Sequence, residues 1–255
     1  MYFGEGSPTN SPHLSLVVAC YNEAQHLESS VRALQVTLRQ LNCSHELIFI
    51  DDASSDGTPQ LLQKIGQTHP QYRIILHEKN VGRGGTVSEG LRMASGRIVG
   101  YLDIDLEVPP CYLLSMLTAF ETEACDAVVG RRVYKIQMTP FALMRHLSHI
   151  GYRWLAGKLL PMPVADSEAG FKFFSREKIL PVLDQVKDAR WFWDTEVLVR
   201  AERAGLCLRE VTCLYSRNLE KTSTVRIIPD TLEYMRRVRG LRRELREQHR
   251  HKLHS

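Results

Sequence analysis

The first hundred residues alternate between short apolar runs and amphipathic segments, and this alternation is the strongest constraint on the fold. Apolar runs at 14–20, 46–51, 72–77 and 97–102 have the length of buried strands. The segments between them place apolar residues at helical spacing, as in 24–41. Buried strands that alternate with helices predict an α/β fold in which helices cover both faces of a mostly parallel central sheet.

The alternation continues less regularly after residue 102. The pattern predicts helices at 111–120 and 195–204 and strands at 126–130, 171–174 and 207–215. Neither internal repeats nor a low-complexity linker divides the chain. We therefore expect a flexible N-terminus at 1–12, followed by one continuous Rossmann-like domain at 13–225.

Positive charge is concentrated in the C-terminal segment, residues 226–255. This segment contains nine Lys/Arg against four acidic residues, a surplus of five, and because the whole chain carries +4, the remainder carries −1. Apolar residues at helical spacing over 229–250 predict a basic amphipathic helix, and 138–160 has a similar pattern. Each segment fits an anionic membrane surface, or an ordinary helix that packs its apolar stripe on the domain.

The composition narrows the class of protein. Hydrophobic residues make up 44% and charged residues 24% of the chain, which is typical of a soluble globular protein and argues against a disordered or collagen-like one. The chain has neither a long apolar run nor a secretory leader pattern, so we expect a cytoplasmic protein. Six scattered cysteines without a CxxC pair predict reduced thiols, and the lack of an HExxH motif gives little support to zinc.

Polar side chains and glycines follow each of the first four predicted strands. In a parallel sheet these strand ends lie at one edge, where ligands of such folds bind. The residues concerned are Tyr21 and Glu23 after the first strand, Asp51 and Asp52 after the second, Gly82 to Gly85 after the third, and Asp103, Asp105 and Glu107 after the fourth.

Asp103 and Asp105 stand two positions apart at the end of the fourth strand. Carboxylates together with substrate phosphates are the ligands that Mg²⁺ and Mn²⁺ prefer, and Glu107 would be a third ligand. A metal bound there would neutralise a diphosphate and stabilise it as a leaving group. The alternative is that these are solvated acidic residues of a turn.

Two further motifs carry weaker signals. Asp52 would accept hydrogen bonds from a base or ribose, although the neighbouring Ser54 and Asp56 equally fit simple capping of the next helix. The glycines around Gly84 let the backbone approach a ligand at a helix start. They do not form a Walker A loop, since Gly-Lys-Ser/Thr is missing.

Together these motifs resemble family 2 glycosyltransferases of the GT-A fold, and most closely the polyprenyl-phosphate glycosyltransferases such as dolichyl-phosphate mannose synthase. The resemblance covers residues 13–225 and depends on the order and spacing of the motifs. It implies a metal-dependent, inverting hexosyltransferase that uses a nucleotide-diphospho-sugar and Mg²⁺ or Mn²⁺. The implied acceptor is a polyprenyl phosphate at the cytoplasmic membrane face, where the protein would be peripheral.

The resemblance assigns roles to particular residues. It implies nucleotide-sugar contacts at Ala19, Tyr21, Glu23, Asp52, Gly84, Asp103 and Ile104, and a metal at Asp103, Asp105 and Glu107. The catalytic candidates are Asp105, Arg132, Asp166, Asp194 and Arg217. Arg132 matches a phosphate-binding arginine, and 166–172 matches the family's acceptor-side segment, which ends in Gly-Phe-Lys. The family's late Arg and Lys fall here on Asn218 and Thr224, so Arg217 and Lys221 would have to substitute from shifted positions.

The identity of a catalytic base depends on the acceptor. A lipid phosphate is already ionised and needs no base, whereas a sugar hydroxyl needs one, for which Asp166, Glu168 and Asp194 are candidates. A soluble glycosyltransferase acting on a sugar, glycan or small-molecule hydroxyl is therefore the main alternative. A nucleic-acid-binding module is supported only by the basic tail, so no nucleic-acid partner is expected.

Overall fold

The computed structural model describes residues 11–134, 160, 162, 164–216 and 227–254. Seven strands form one sheet in the order β3-β2-β1-β4-β6-β5-β7. The strands are β1 (Leu14–Cys20), β2 (His45–Asp51), β3 (Arg73–Leu76), β4 (Ile98–Asp103), β5 (Ala127–Tyr134), β6 (Phe171–Ser175) and β7 (Leu208–Tyr215). Of these seven, β6 runs antiparallel to its neighbours β4 and β5, and the other pairings are parallel. The predicted mostly parallel sheet is confirmed.

Seven α-helices accompany the sheet in the described part of the chain. They are α1 (Leu27–Gln40), α2 (Thr58–Thr68), α3 (Arg83–Met93), α4 (Leu113–Thr122), α5 (Arg176–Leu183), α6 (Trp193–Arg203) and α7 (Ile227–His254). The first helix begins later than its apolar pattern predicts, because the Ala24 N–H donates to the Asp56 carboxylate and the Glu23 N–H donates to the Thr58 hydroxyl. These contacts tie the loop after β1 to the start of α2.

The helices cover both faces of the sheet. On one face Leu34 and Leu38 of α1 share a buried cluster with residues of β1 and β2, and α4 packs on β5 and β7. On the other face α3, α5 and α6 form a second buried cluster, which includes Val87 and Val197. A smaller third cluster joins α7 to α6. Within the described ranges, no helix is long and apolar enough to cross a bilayer.

The topology gathers the predicted functional residues at one edge of the sheet. Six strands run in the same direction, so their carboxyl ends share this edge, and the antiparallel β6 brings its amino end to the same place. Ala19, near the end of β1, pairs with Ile50 of β2 and Asp103 of β4. The segment that leads into β6 therefore lies beside the end of β4.

Candidate active site

The chain turns sharply after β4 and keeps three acidic residues close to the sheet edge. The Leu106 N–H donates to the Asp103 carbonyl at 3.1 Å, and Leu106 adopts a left-handed φ of 51°. Burial, and then the nearby Asp105 carboxylate, raise the pKa of Asp103 despite an ion pair with Arg83. The Glu107 carboxylate accepts a hydrogen bond from the Tyr215 hydroxyl. The turn thus keeps Asp103 and Asp105 at the end of β4 and brings Glu107 to the end of β7.

Arg83, the first residue of α3, joins two of the predicted functional acids. Its Nε and Nη2 donate to Asp103 Oδ1 at 2.9 and 2.7 Å, and its Nη1 donates to Asp194 Oδ2 at 2.5 Å. Its guanidinium also lies 5.4 Å from the centre of the Tyr101 ring and 5.8 Å from that of Trp191. Arg83 therefore connects the end of β4 to the start of α6.

Asp194 is buried at the first turn of α6. Its Oδ1 accepts from Lys172 Nζ at 2.5 Å and from the Tyr101 hydroxyl. Burial alone would raise the pKa of Asp194, but the Arg83 guanidinium and the Lys172 ammonium hold it below its usual value. Asp194 is thus a charged acceptor that takes three hydrogen bonds, two of them from cations.

Asp52 organises the loop that leads into α3. Its Oδ1 accepts from the Val81 N–H at 2.8 Å and lies 3.0 Å from His77 Nδ1, and its Oδ2 accepts from the Gly82 N–H at 2.9 Å. Gly82 has a φ of 91°, and a Cβ there would lie 2.4 Å from the Ala189 carbonyl oxygen, so only glycine fits. Asp52 is 3% exposed, and a bound base or ribose would have to share these oxygens. Its nucleotide role stays a prediction.

The other predicted nucleotide-contacting residues occupy different environments at the same edge. Tyr21 is 51% exposed, and Asn22 beside it adopts a left-handed φ of 56° while its side chain accepts the Ser55 N–H. Ile104 and Gly84 are buried, and Gly84 packs so tightly on Trp193 that a Cβ would lie 2.4 Å from the Trp193 Cβ. Tyr21 is thus open to a ligand, whereas Ile104 and Gly84 would meet one through the backbone.

Arg132, near the end of β5, forms an ion pair with Asp166, which lies in the segment before β6. Arg132 Nε and Nη2 donate to the two Asp166 oxygens at 2.8 and 2.9 Å, and the Arg132 backbone N–H donates at 3.1 Å. Burial would raise the pKa of Asp166, but Arg132 lowers it. The Arg132 guanidinium lies 5.6 Å from the centre of the Tyr215 ring. The structure therefore brings together a predicted phosphate-binding arginine and a predicted base, in mutual contact.

Some of the predictions concern residues outside the described ranges, among them Lys221 and most of the N-terminus. Arg217 lies outside the described residues, as does the amphipathic segment 138–160 except for its last residue. Glu168 belongs to the described segment before β6 and is partly buried. Of the predicted catalytic and metal-binding residues, the structure brings together Asp103, Asp194, Arg132 and Asp166, with the turn that carries Asp105 and Glu107.

The acidic turn suits a divalent cation that a substrate helps to hold. Among the described residues no three histidine, cysteine or acidic side chains converge closely enough to enclose a metal. Mg²⁺ and Mn²⁺ commonly bind through one or two carboxylates, with phosphates and water as the remaining ligands. Asp103 and Asp105 offer hard oxygen donors of that kind, and Asp103 Oδ1 is already a site for a cation, the Arg83 guanidinium. The donor set thus fits Mg²⁺ or Mn²⁺.

Three residues of this site are not among the predicted catalytic or binding residues, although the resemblance includes Lys172 in the acceptor-side segment 166–172. Arg83 lies within the glycine loop, where it looks like an exposed loop cation. Tyr101 and Lys172 lie within apolar strands, and a lone charge in Phe-Lys-Phe-Phe is the one local signal that a buried partner exists. The contact between Arg83 and Asp194 joins residues 111 positions apart, so no local pattern reveals it.

Solved structures show the fold. Glucosyl-3-phosphoglycerate synthase of Mycobacterium tuberculosis in complex with uridine diphosphate matches with a TM-score of 0.67 and 19% identity, over 91% of this chain and 80% of that one. The mannosyltransferase PcManGT of Pyrobaculum calidifontis, in complex with GDP-Man and Mn²⁺, matches with a TM-score of 0.57 and 19% identity, over 86% and 61% of the two chains. The likeness shows that this chain has the GT-A fold.

Sequence relatives are glycosyltransferases. The chain is 31% identical over 199 residues to the glycosyltransferase AglD of Haloferax volcanii, covering 77% of this chain and 32% of AglD. It is 26% and 25% identical to the dolichyl-phosphate β-glucosyltransferases of Dictyostelium discoideum and Saccharomyces cerevisiae, covering 80% and 78% of this chain and 67% and 65% of theirs. The family model "Glycosyl transferase family 2" matches residues 15–180. The chain belongs to glycosyltransferase family 2.

Proposed function

We propose that this protein transfers a sugar from a nucleotide-diphospho-sugar to a polyprenyl phosphate, with inversion at the anomeric carbon. The observation that carries the proposal is the convergence of a donor-side acidic turn and the Arg132–Asp166 pair at one sheet edge. The names of the relatives from Dictyostelium discoideum and Saccharomyces cerevisiae support a dolichyl-type phosphate as the acceptor. The chain spans about two thirds of those relatives and about a third of AglD.

The donor would lie across the strand ends, with its nucleotide near Tyr21 and Asp52 and its diphosphate near the acidic turn. A divalent cation held by Asp103 and Asp105, with Glu107 as a further candidate ligand, would supply Lewis-acid stabilisation of the departing diphosphate. Arg83 already contacts Asp103 and adds a fixed positive charge at that point. Fixed charges that await a developing negative charge lower the barrier because they need no reorganisation.

The acceptor would approach beside Arg132 and Asp166. A phosphate oxygen that is already ionised attacks the anomeric carbon without transferring a proton, so a cation is more useful there than a base. Arg132, oriented by two hydrogen bonds to Asp166, is suited to binding that phosphate. A lowered pKa also makes Asp166 a weak base, which favours a phosphate acceptor over a hydroxyl.

The test is a transfer assay with purified protein. The protein would be incubated with radiolabelled UDP-glucose or GDP-mannose, Mn²⁺ and a short polyprenyl phosphate in detergent, and lipid-linked sugar would be extracted and quantified. We expect sugar transfer to polyprenyl phosphate and none to the corresponding polyprenol. Chelation by EDTA would abolish transfer and added Mn²⁺ would restore it.

The acceptor arm separates the proposal from its alternative. Transfer to sugar hydroxyls or small alcohols but not to polyprenyl phosphate would contradict the proposed acceptor and would support a soluble hydroxyl-directed glycosyltransferase. Nucleotide-sugar binding without any transfer to either class would contradict the proposed reaction. The location that follows from the proposal is peripheral, at the cytoplasmic face of a membrane that contains the lipid phosphate.

A further inference from the structure

We propose that Lys172 and Tyr101 are positioning residues for donor binding, acting on Asp103 through Asp194 and Arg83. The inference depends on the proposed nucleotide-sugar site and adds to it two side chains that touch neither donor nor acceptor. It also gives a donor-side role to the Gly-Phe-Lys segment, which the family resemblance associates with the acceptor.

Lys172 lies in the sheet interior and has no solvent-exposed surface. It sits opposite Tyr101 in the antiparallel pairing of β6 with β4. Its ammonium donates to the Tyr101 hydroxyl at 2.9 Å, to Asp194 Oδ1 at 2.5 Å and to the Ala169 carbonyl oxygen. An ammonium has three N–H donors, so all of them are used inside the protein. Lys172 therefore has no donor left for a substrate.

The ammonium fixes Asp194, and Asp194 fixes Arg83. Lys172 and Tyr101 occupy one oxygen of Asp194, which leaves the other for Arg83 Nη1 at 2.5 Å. On another edge of the Arg83 guanidinium, Nε and Nη2 both donate to Asp103 Oδ1. A planar guanidinium held on one edge keeps its other edge in a set direction. The position of the Asp103 carboxylate thus depends on a buried chain of contacts that starts at Lys172.

Gly170 completes the arrangement from the other side. A Cβ at this position would lie 1.7 Å from Asp103 Oδ2 and 2.8 Å from Arg83 Nη2, so both groups pack directly on the Gly170 backbone. The Asp103 N–H donates to the Gly170 carbonyl at 3.1 Å. One short segment therefore supports the donor-side acid twice, through the backbone of Gly170 and through the side chain of Lys172.

The charges of the buried network, which consists of Lys172, Asp194, Arg83 and Asp103, sum to zero. This balance explains why these charged groups can lie away from solvent. Arg83 and Lys172 offset Asp103 and Asp194, and each carboxylate accepts from at least one cation. Buried charges are kept when they are paired and hydrogen-bonded. Replacing one member leaves a partner unpaired, so a test must separate lost stability from lost positioning.

The test compares Lys172→Met with Arg200→Met. Arg200 is a second buried cation; it pairs with Glu196 at 2.6 Å on the same helix as Asp194 but does not contact Asp103. For each variant, the dissociation constant of the Mn²⁺–nucleotide-sugar complex is measured by calorimetry without acceptor, and steady-state constants are measured with it. Thermal unfolding reports the loss of stability in both.

We expect Lys172→Met to raise the donor dissociation constant and donor KM by about tenfold or more, as for outer-shell partners of metal ligands, while the acceptor KM stays the same. Arg200→Met should lose comparable thermal stability and bind donor like the wild type. Tyr101→Phe keeps the ring and removes one hydroxyl, so about a threefold weaker donor affinity is expected. If Lys172→Met does not fold, Tyr101→Phe is compared with Arg200→Met in its place.

Three outcomes overturn the inference. If Lys172→Met binds the donor as tightly as the wild type, the network does not position Asp103. The same conclusion follows from wild-type affinity in Tyr101→Phe when Lys172→Met does not fold. Equal weakening in Arg200→Met shows a general effect of destabilisation. A wild-type protein that binds no nucleotide sugar overturns the proposed function and this inference together, whereas the first two outcomes leave the proposed function intact.

Discussion

Asp105 is the residue at which the metal hypothesis can be tested with least damage to the fold. It lies in the turn after β4 and is only partly buried, unlike Asp194. Replacing Asp105 by Ala should therefore leave the fold intact and lower Mn²⁺-dependent transfer by about a hundredfold or more, the scale of losing a group that stabilises developing charge. The measurement is the transfer rate against Mn²⁺ concentration.

The companion variant is Glu107→Gln, which tests the third candidate ligand while keeping its shape. If Glu107 only binds the Tyr215 hydroxyl, this variant retains most of its activity and its Mn²⁺ dependence. A tenfold or larger rise in the Mn²⁺ concentration needed for half-maximal rate would make Glu107 a ligand. Unchanged turnover in Asp105→Ala would remove Asp105 from the metal site.

Arg132 should control both the stability of the fold and its pH dependence. Removing one partner of a buried ion pair costs about 3–5 kcal/mol, because the other charge stays buried. In Arg132→Ala, the pKa of Asp166 should rise, since burial is then no longer offset by the guanidinium. Urea denaturation at several pH values measures both effects.

The sign of the pH effect follows from the lowered pKa of Asp166. A carboxylate with a folded pKa below its unfolded value of about 3.9 stabilises the fold above that pH, and the contribution is lost as the pH falls through the folded pKa. The stability gap between wild type and Arg132→Ala should therefore narrow in acid. Arg97→Ala is the control, because Arg97 is 62% exposed in its pair with Glu121 and should change stability by about 1 kcal/mol or less. Equal losses in both variants would contradict a buried-pair role.

At the scale of elements, the tertiary structure shows which of two surfaces the apolar stripe of α7 contacts, the domain or a membrane. Val238, Leu241 and Leu245 of its apolar stripe are buried in one cluster with Phe192, Val199 and Leu160, and Met235 of the same stripe is also buried. Glu244 adds ion pairs to Arg200 at 3.1 Å and Lys187 at 2.9 Å. The apolar stripe therefore packs on the domain, and a membrane would meet the opposite, charged surface of the helix.

That surface carries an arginine stripe at helical spacing. Arg236, Arg239, Arg243, Arg246 and Arg250 follow one another by three or four positions and are all exposed. The stripe runs from Arg236 to Arg250, a distance of 14 residue steps, and is therefore about 21 Å long. Of the five, Arg243 pairs with Glu247 at 2.9 Å, and in the described part of the chain no acidic residue lies within ion-pair distance of the other four. Such a row complements the phosphates of anionic lipids.

We predict that the arginine stripe binds the protein to anionic vesicles through charge alone. Changing all five arginines to Gln should weaken binding to phosphatidylserine-containing vesicles by a hundredfold or more, since each basic residue near such a surface contributes about 1 kcal/mol. Binding should also weaken steeply with salt, because the screening length is about 8 Å at physiological ionic strength. Vesicle sedimentation at several salt concentrations measures both effects.

The control replaces the same number of exposed cations elsewhere on the domain: Arg32, Arg39, Lys64, Lys178 and Arg209. If both variants lose affinity equally, net charge rather than the stripe governs binding. If the wild-type protein does not bind vesicles but binds duplex nucleic acid with the same salt dependence, the arginine stripe is a nucleic-acid-binding surface. Nucleic acid is the class of partner that the sequence supports least. Substitution is preferable to truncation here, because truncation would expose the apolar cluster under α7.

Local sequence patterns predicted those elements whose periodicity is strong. The ends of β1, β2 and β4 follow from apolar runs and gave the correct edge for Asp52 and Asp103. The helix α5 has no such signal, because it has eight residues and contains Pro181. Local sequence does not predict the antiparallel direction of β6 either, because the direction of a strand depends on the path of the chain that connects it to the strand before. It is β6 that brings Lys172, and Gly170 just before it, to the donor side, so the buried network could not be predicted.

At the scale of the whole molecule, the site joins elements from across the chain, so ligand binding should stabilise the entire fold. Arg83, Asp103 and Asp194 tie α3, β4 and α6 together at the sheet edge. A donor that spans this edge and binds only the folded state raises its stability by about 2.7 kcal/mol at a hundred times the dissociation constant. For a domain of this size, that corresponds to a rise in Tm of about 5 °C or more.

We therefore expect one or more of UDP-, GDP- and dTDP-sugars to raise the Tm of the wild-type protein when Mn²⁺ is present, and to raise it less when Mn²⁺ is chelated. Asp105→Ala should lose the part of the shift that depends on Mn²⁺, because that part reports the metal-bridged diphosphate. The base of the stabilising nucleotide would identify the donor class. A shift of the same size with and without Mn²⁺ would contradict a metal-held diphosphate, because the donor would then bind through Arg83 and the nucleotide-contacting residues alone.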